Sequence, residues 1–294
     1  LVIFLSPTFR SLAIWPDSRL PGLILFVLTV YFFLRLKKTH QFKYTWFASI
    51  SLIFSSYISP NFSIFFPYFF FFFLKEFGLK KLSLLLVFNF LASLPILYYI
   101  FILDVNFIAA GKTPNFNNES ISFSYNFSDK IMIVSSIIFF HLSPILIMDN
   151  TFNYFKNFLF KNFKLLILFL ACLVYFFSYQ ISYTGGGVFF ILSNLLLSNN
   201  YLFYLGSFFF IGFVAYIASL NLNNFSLLIL IVISNIQNTI YHKYYEPMML
   251  IIFFTLIKYP GVENLLKKKS NIFYLYFLSF IYILMRVFKI NYLI

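Results

Sequence analysis

Charge is what this sequence has least of. Only 10% of its 294 residues are Asp, Glu, Lys or Arg, and eight of them are acidic. A soluble domain carries about 25% charged residues. The outside of a soluble fold must meet water, and a chain that is 62% hydrophobic leaves too little polar surface for that. Cysteine is almost missing too. The single Cys172 excludes an internal disulfide framework and a thiolate metal site. No nucleophile elbow or Ser/His/Asp set is visible. The glycine triplet Gly185-Gly186-Gly187 lacks the following Lys-Ser/Thr of a P-loop. It reads as a sharp turn at a membrane edge.

What is present is long apolar runs. A helical crossing of the roughly 30 Å hydrocarbon core needs about 20 apolar residues. Backbone in lipid must satisfy its own hydrogen bonds, so only helices or a closed barrel cross. Barrel strands alternate apolar and polar residues. The run from Phe69 to Leu74 does not alternate, so the expected fold is an all-α polytopic bundle. The whole chain, 1–294, reads as one integral membrane domain. The 48 Phe and 22 Tyr resemble the codon bias of an AT-rich genome, so an individual Phe carries little weight.

The net charge of +13 is topological in origin, because Lys and Arg hold loops on the cytoplasmic side. These charges sit in short loops and form no single basic face, which argues against a nucleic-acid partner. The expected partner is the lipid bilayer, and the expected location is the bacterial cytoplasmic membrane. A first span over Leu20 to Leu36 ends in Arg35, Lys37, Lys38 and Lys43. Tyr44 to Ile58 and Phe62 to Leu74 form a tight pair around Ser59-Pro60-Asn61, followed by Lys75, Lys80 and Lys81. Leu82 to Leu103 leads outward to a polar loop, Asp104 to Asp129, the one long loop. Lys130 to Met148 returns to Lys156, Lys161 and Lys164, and Leu165 to Tyr183 goes out again. Val188 to Leu197 is half a span and suits a re-entrant segment. Tyr201 to Leu220, Phe225 to Ile240, Met248 to Ile257 and Asn271 to Val287 complete about ten crossings. Arg286 and Lys289 then fall outside, where long basic side chains can snorkel. Leu1 to Leu5 reads as the end of a helix that begins earlier, so a chain without its N-terminal part is expected.

Three polar clusters fall on the outer face in this topology. The first holds Arg10, Trp15, Asp17 and Arg19. An Arg fork can grip phosphate oxygens, and Asp17 can act as a base or hold an Arg. The plainer alternative is an interfacial anchor, with Trp15 in the aromatic belt and Asp17 capping the next helix. The second cluster is the Asp104 to Asp129 loop, with Lys112 and Glu119. It is long enough to be functional, or else it simply connects. Asn118 and Asn126 begin glycosylation sequons, a weak signal in so Asn-rich a chain.

The third cluster runs from Asn235 to Glu246 and contains His242, Lys243 and Glu246 among three Tyr. Pro247 favours a helix break there. His242 and Glu246 would face each other only in a helix. A cation beside Tyr hydroxyls suits a phosphate; a charged loop with interfacial Tyr is the alternative. A metal site is not expected, since His40 and His141 belong to other segments and a lone His rarely ligates.

The stretch Leu5-Ser6-Pro7 to Arg10, with Trp15-Pro16-Asp17 before a span ending in Tyr31-Phe32-Phe33-Leu34-Arg35, resembles the GT-C superfamily. These are multi-span glycosyltransferases that use polyprenyl-phosphate sugars. Tyr241-His242-Lys243-Tyr244-Tyr245-Glu246-Pro247 is similar to their basic-Tyr-x-x-Pro segment. The resemblance implies a membrane glycosyltransferase of the cell envelope, with a lipid-phosphate sugar donor and a glycan, lipid or protein acceptor. It places Arg10, Asp17 and Arg19 at the border of the donor site, and His242, Lys243 and Tyr244 on the donor phosphate. The catalytic carboxylate of that superfamily lies in a first outer loop that is expected to be missing from these residues, which leaves Asp17 an accessory acid. Many members use a divalent metal, but no ligand set is legible in this sequence. Rival readings are a transporter or flippase of lipid-linked sugars, which calls for polar groups at mid-span and broken helices, and an O-antigen-type polymerase, which calls for an Arg-rich outer loop. A structural membrane subunit without chemistry is a third.

Overall fold

The computed structural model describes residues 19–102, 126–147, 151–180, 185–235 and 240–259, with separate positions between 271 and 284. Their regular structure is helical. Four helices are long and apolar enough to cross a membrane, and a fifth crossing results if one bent helix pair counts as a span. The described residues gather into two compact units.

The first unit is built from α1 (Arg19–Thr39), α2 (Lys43–Ile58), a 3-10 turn at Pro60–Phe65, and α3 (Phe66–Phe101). The helices follow the expected segments within a few residues, but among them only Arg19–Thr39 and the stretch Pro60–Tyr98, which joins two expected crossings, are long and apolar enough to count as spans. Helix α3 breaks at Gly78, whose φ of 72° suits glycine. This break sits among Lys75, Lys80 and Lys81, where the sequence places a turn between two spans. Helix α2 turns small residues inward: Thr45, Ala48, Ser49, Ser51 and Ser55 are buried. Lipid tails are as apolar as Leu, so helices in a membrane associate by close packing, and small residues permit it. Gly22 of α1 shows the consequence. A Cβ added there would lie 3.2 Å from Ile58 Cγ2 and Ser59 Cβ, and the Ser55 hydroxyl donates to the Gly22 carbonyl at 2.8 Å. Rings fill the rest of this core. Phe26 stacks on Phe62 at 4.6 Å, and Phe33 meets Phe69 and Phe72 edge-on at 4.9 Å.

The second unit contains α4 (Phe127–Leu142, extended by a 3-10 turn at Ser143–Ile147), α5 (Thr151–Lys161), α6 (Phe163–Phe176), α7 (Gly187–Leu197), α8 (Tyr201–Leu220), most of α9 (Leu222–Ile233) and α10 (His242–Thr255). Helix α4 is the central one. Of its most apolar window 83% is buried, against 11% for the span beginning at Pro60. Large apolar side chains such as Leu168 and Leu205 instead stand about 70% exposed on the outside. Lipid covers such surface where water could not.

Three expectations are corrected in this unit. Lys156 and Lys161 do not sit in a loop. They lie on α5, whose buried Thr151, Phe155 and Leu159 form a single stripe. Spacing of four residues makes a narrow apolar face, which is what an interfacial helix needs. Helix α5 meets α6 at 76°. Asp129 is not a loop residue either. It lies in the first turn of α4 and is buried. Pro247 does not break the chain, because α10 runs through it. It stands one turn into that helix, so its missing N–H removes a single ladder bond, to the Lys243 carbonyl.

Helix α7, with 11 residues, is too short to cross, as its length in the sequence indicates. Helix α9 ends at Ile233, well short of the expected Ile240.

Candidate functional site

The site is assembled by hydrogen bonds that begin at the N-terminus of α4. The Asn126 side chain caps that helix, accepting from the amides of Ser128 and Asp129 at 3.0 and 3.3 Å. Its amide nitrogen donates to the Phe176 carbonyl and the Ser178 hydroxyl at 2.9 and 2.8 Å. The sequon nitrogen is therefore committed to internal bonds. Asp129 accepts from the backbone amides of Ser178 and Tyr179 at 2.9 and 3.2 Å. These bonds fix the segment after α6. The Tyr179 hydroxyl then accepts from the Ile240 amide at 3.1 Å.

The glycine triplet fixes the same point from the other side. Gly186 donates to the Ile240 carbonyl at 3.0 Å, and Gly185 bridges Tyr241. Gly186 has φ +99°, and a Cβ on it would lie 2.5 Å from Phe190 Cδ1. Both facts require glycine. The triplet makes a sharp turn, as its composition predicts, and it also clamps the residues just ahead of α10.

The start of α10 is thereby held against the end of α4. His141 Nε2 lies 2.7 Å from His242 Nε2. Glu246 Oε2 lies 3.9 Å from His242 Nε2, one helical turn along α10. The helix that brings His242 and Glu246 together is thus formed. All three side chains are buried, and Glu246 has no exposed surface. The Phe140 ring stands edge-on to both imidazoles, with centroids 5.1 and 6.4 Å away.

Depth follows from the neighbouring rings. Phe139, two residues before His141, packs on Phe210 and Phe213 at 5.0 and 5.6 Å. Phe210 is halfway along the 20-residue α8. His141 is also about 18 Å along α4 from Asp129 at a rise of about 1.5 Å per residue. The cluster thus lies beside the middle of α8, in the last turn of α4 and the first turn of α10. The sequence expectation is a loop for His242, whereas the structure places it in the first turn of a helix and buries it. An apolar run shows its polar residues but not their depth, which is set by the helix packed beside it.

Of the candidate residues named from sequence, His242 is buried in this cluster. Lys243 points the other way and is exposed, its Nζ 5.5 Å from the Tyr241 ring centre and 5.9 Å from that of Tyr244. Tyr244 is half-buried. Arg19 opens α1. Arg10 and Asp17 lie outside the described residues, as do Asp104, Lys112, Glu119, Arg286 and Lys289. Sequence reasoning missed His141, and it set Glu246 aside as a ligand. The available signal was the i,i+4 spacing of His242 and Glu246. Nothing in the sequence pairs His141 with a residue 101 positions away. Among the described residues His141, His242 and Glu246 are the one group of His, Cys or acidic side chains close enough to hold a metal. Comparison with known protein families, with curated proteins and with solved structures gives no match for this chain.

Proposed function

We propose that the chain is a membrane glycosyltransferase that moves a sugar from a polyprenyl-phosphate donor to an acceptor at the outer face of a bacterial cytoplasmic membrane. The proposal includes the ten-crossing topology with basic loops inside and the long outer loop before α4. The observation that carries it is Lys243. This exposed ammonium stands in the first turn of α10, a helix of mostly buried apolar residues, beside two Tyr rings. A lysine there cannot face lipid tails without a large cost. It needs water or an anion. The N-terminal end of a helix adds positive potential and favours a phosphate.

In the reaction the acceptor hydroxyl attacks the anomeric carbon while the bond from that carbon to the phosphate oxygen breaks. The proton passes to a carboxylate base, which the GT-C superfamily carries in a first outer loop. The polyprenyl phosphate leaves with its electron pair, and Lys243 and Tyr244 stabilise its charge. Lys243→Ala should lower transfer from a radiolabelled polyprenyl-phosphate sugar in membrane vesicles at least tenfold, the scale of one lost charged contact of about 1.4 kcal/mol. Unchanged transfer with normal expression would sink the assignment.

A second reading is transport of a lipid-linked sugar. It is favoured by the buried polar cluster of His141, His242 and Glu246 and by the 76° bend between α5 and α6, in line with the interior polar groups and broken helices of transporters. Flipping of a fluorescent polyprenyl-phosphate sugar in proteoliposomes, without any glycosyl product, distinguishes it.

A further inference from the structure

We infer that His141, His242 and Glu246 form a binding site for one divalent transition-metal ion, with zinc the expected occupant. The inference is independent of the glycosyl-transfer reading and is tested without an activity assay. Two imidazole nitrogens and one carboxylate are a donor set that suits zinc and its first-row neighbours better than magnesium or calcium, which prefer oxygen ligands. The three ligand atoms lie within 4.8 Å of one another. A zinc ion sits about 2.0–2.1 Å from each donor, which puts two tetrahedral nitrogens about 3.3 Å apart. The His–His separation of 2.7 Å has to open and the His242–Glu246 separation of 3.9 Å has to close. Each of these changes is about 0.6 Å, and the His141–Glu246 separation, up to 4.8 Å, has to close by up to about 1.5 Å; ring and carboxylate rotation about the side-chain torsions supplies such shifts.

Two further features favour an ion. A divalent ion beside the buried Glu246 carboxylate would balance its charge while leaving both imidazoles neutral. The site is also held from outside. Gly186 and Tyr179 clamp the chain two residues before His242, and Phe140 braces both rings. Preset ligands lose less freedom on binding. With three protein ligands, a fourth position stays open for water or for an oxygen of a bound substrate.

The test uses the full chain, purified in detergent, stripped with a chelator and titrated with Co2+. We expect one Co2+ per chain, with the visible bands of a four-coordinate ion, displaced by Zn2+. His242→Ala should abolish the bands and Glu246→Gln should weaken binding. His40→Ala, at an exposed histidine of the other unit, should leave the titration unchanged. His141→Cys adds a check that survives a fold defect in the alanine variants, because a thiolate ligand adds a sulfur-to-cobalt charge-transfer band. A wild-type chain that shows no bands, bands that persist unchanged in His242→Ala, or a bound His141→Cys ion without the sulfur band would each overturn the site. Failure of this titration leaves the Lys243 experiment intact.

Discussion

Phe33 and Glu246 are both fully buried, one in each unit, and they are held in opposite ways. Phe33 is enclosed by rings, with Tyr68, Phe69, Phe72 and Phe73 around it and Lys37 Nζ 4.5 Å from its centre. Its neighbours need only shape. Glu246 sits with His242 and His141, where position to a fraction of an ångström decides what the cluster can bind. The unit of α1 to α3 is held mainly by packing, with a few polar contacts such as the Ser55–Gly22 bond. The unit of α4 to α10 puts polar groups where packing alone would be more stable, and it spends a set of specific hydrogen bonds on placing them. Polar residues inside a membrane protein are expensive and so point to function.

Packing in the first unit is tested most directly at Phe33. Phe33→Ala removes a ring from a filled core, and core Phe→Ala substitutions cost about 3–5 kcal/mol. The lower end, about 3, applies here, because lipid offers the exposed surface an apolar alternative. Thermal unfolding in detergent measures it. Phe71, which is 70% exposed on α3 of the same unit, is the control, and Phe71→Ala should leave the midpoint nearly unchanged. Equal losses would mean that Phe71 is covered and that the outer face of α3 does not meet lipid.

Glycine provides the next comparison. Gly78 and Gly186 both have positive φ. A Cβ at Gly78 meets nothing within 4 Å, whereas one at Gly186 meets Phe190 at 2.5 Å. Backbone strain of this kind costs about 1–3 kcal/mol. Gly78→Ala should sit at the bottom of that range and Gly186→Ala at the top or beyond it. The Gly186 variant should also weaken Co2+ binding, because it disturbs the clamp ahead of His242. The Gly78 variant should not.

These contrasts bear on what a reader of the sequence could have seen. Tyr201–Leu220 is predicted to the residue, and α1 and α2 nearly so, because a run of about 20 apolar residues has one physical solution in lipid. The helical α5 was missed because its Lys residues suggested a loop, although Phe155 and Leu159 carry the period of a buried stripe. The α10 start was misjudged through Pro247, whose local preference lost to a helix held by the Gly185–Gly187 clamp. The third cluster is legible in the sequence as a dense polar string that contains Lys243 and His242. What stayed hidden was their division between two faces, and the approach of His141. Both are products of long-range packing, which no spacing rule encodes.

The smallest expected effects compare one hydrogen bond with another. Ser55→Ala removes a hydroxyl that donates to the Gly22 carbonyl. That carbonyl lies inside the α1 ladder, so its loss is mild. Side-chain hydrogen bonds between membrane helices average about 0.6 kcal/mol. Tyr179→Phe removes an acceptor from the Ile240 amide. Ile240 is fully buried and stands outside any helix, and a buried amide left without an acceptor costs about 1–3 kcal/mol. The Phe ring would keep its edge contact with Phe190, 5.5 Å away in the native chain, so the difference isolates the hydroxyl. Unfolding midpoints of the two variants, measured side by side, should therefore differ, with Tyr179→Phe lower. If they fall together, the Ile240 amide has another acceptor within reach.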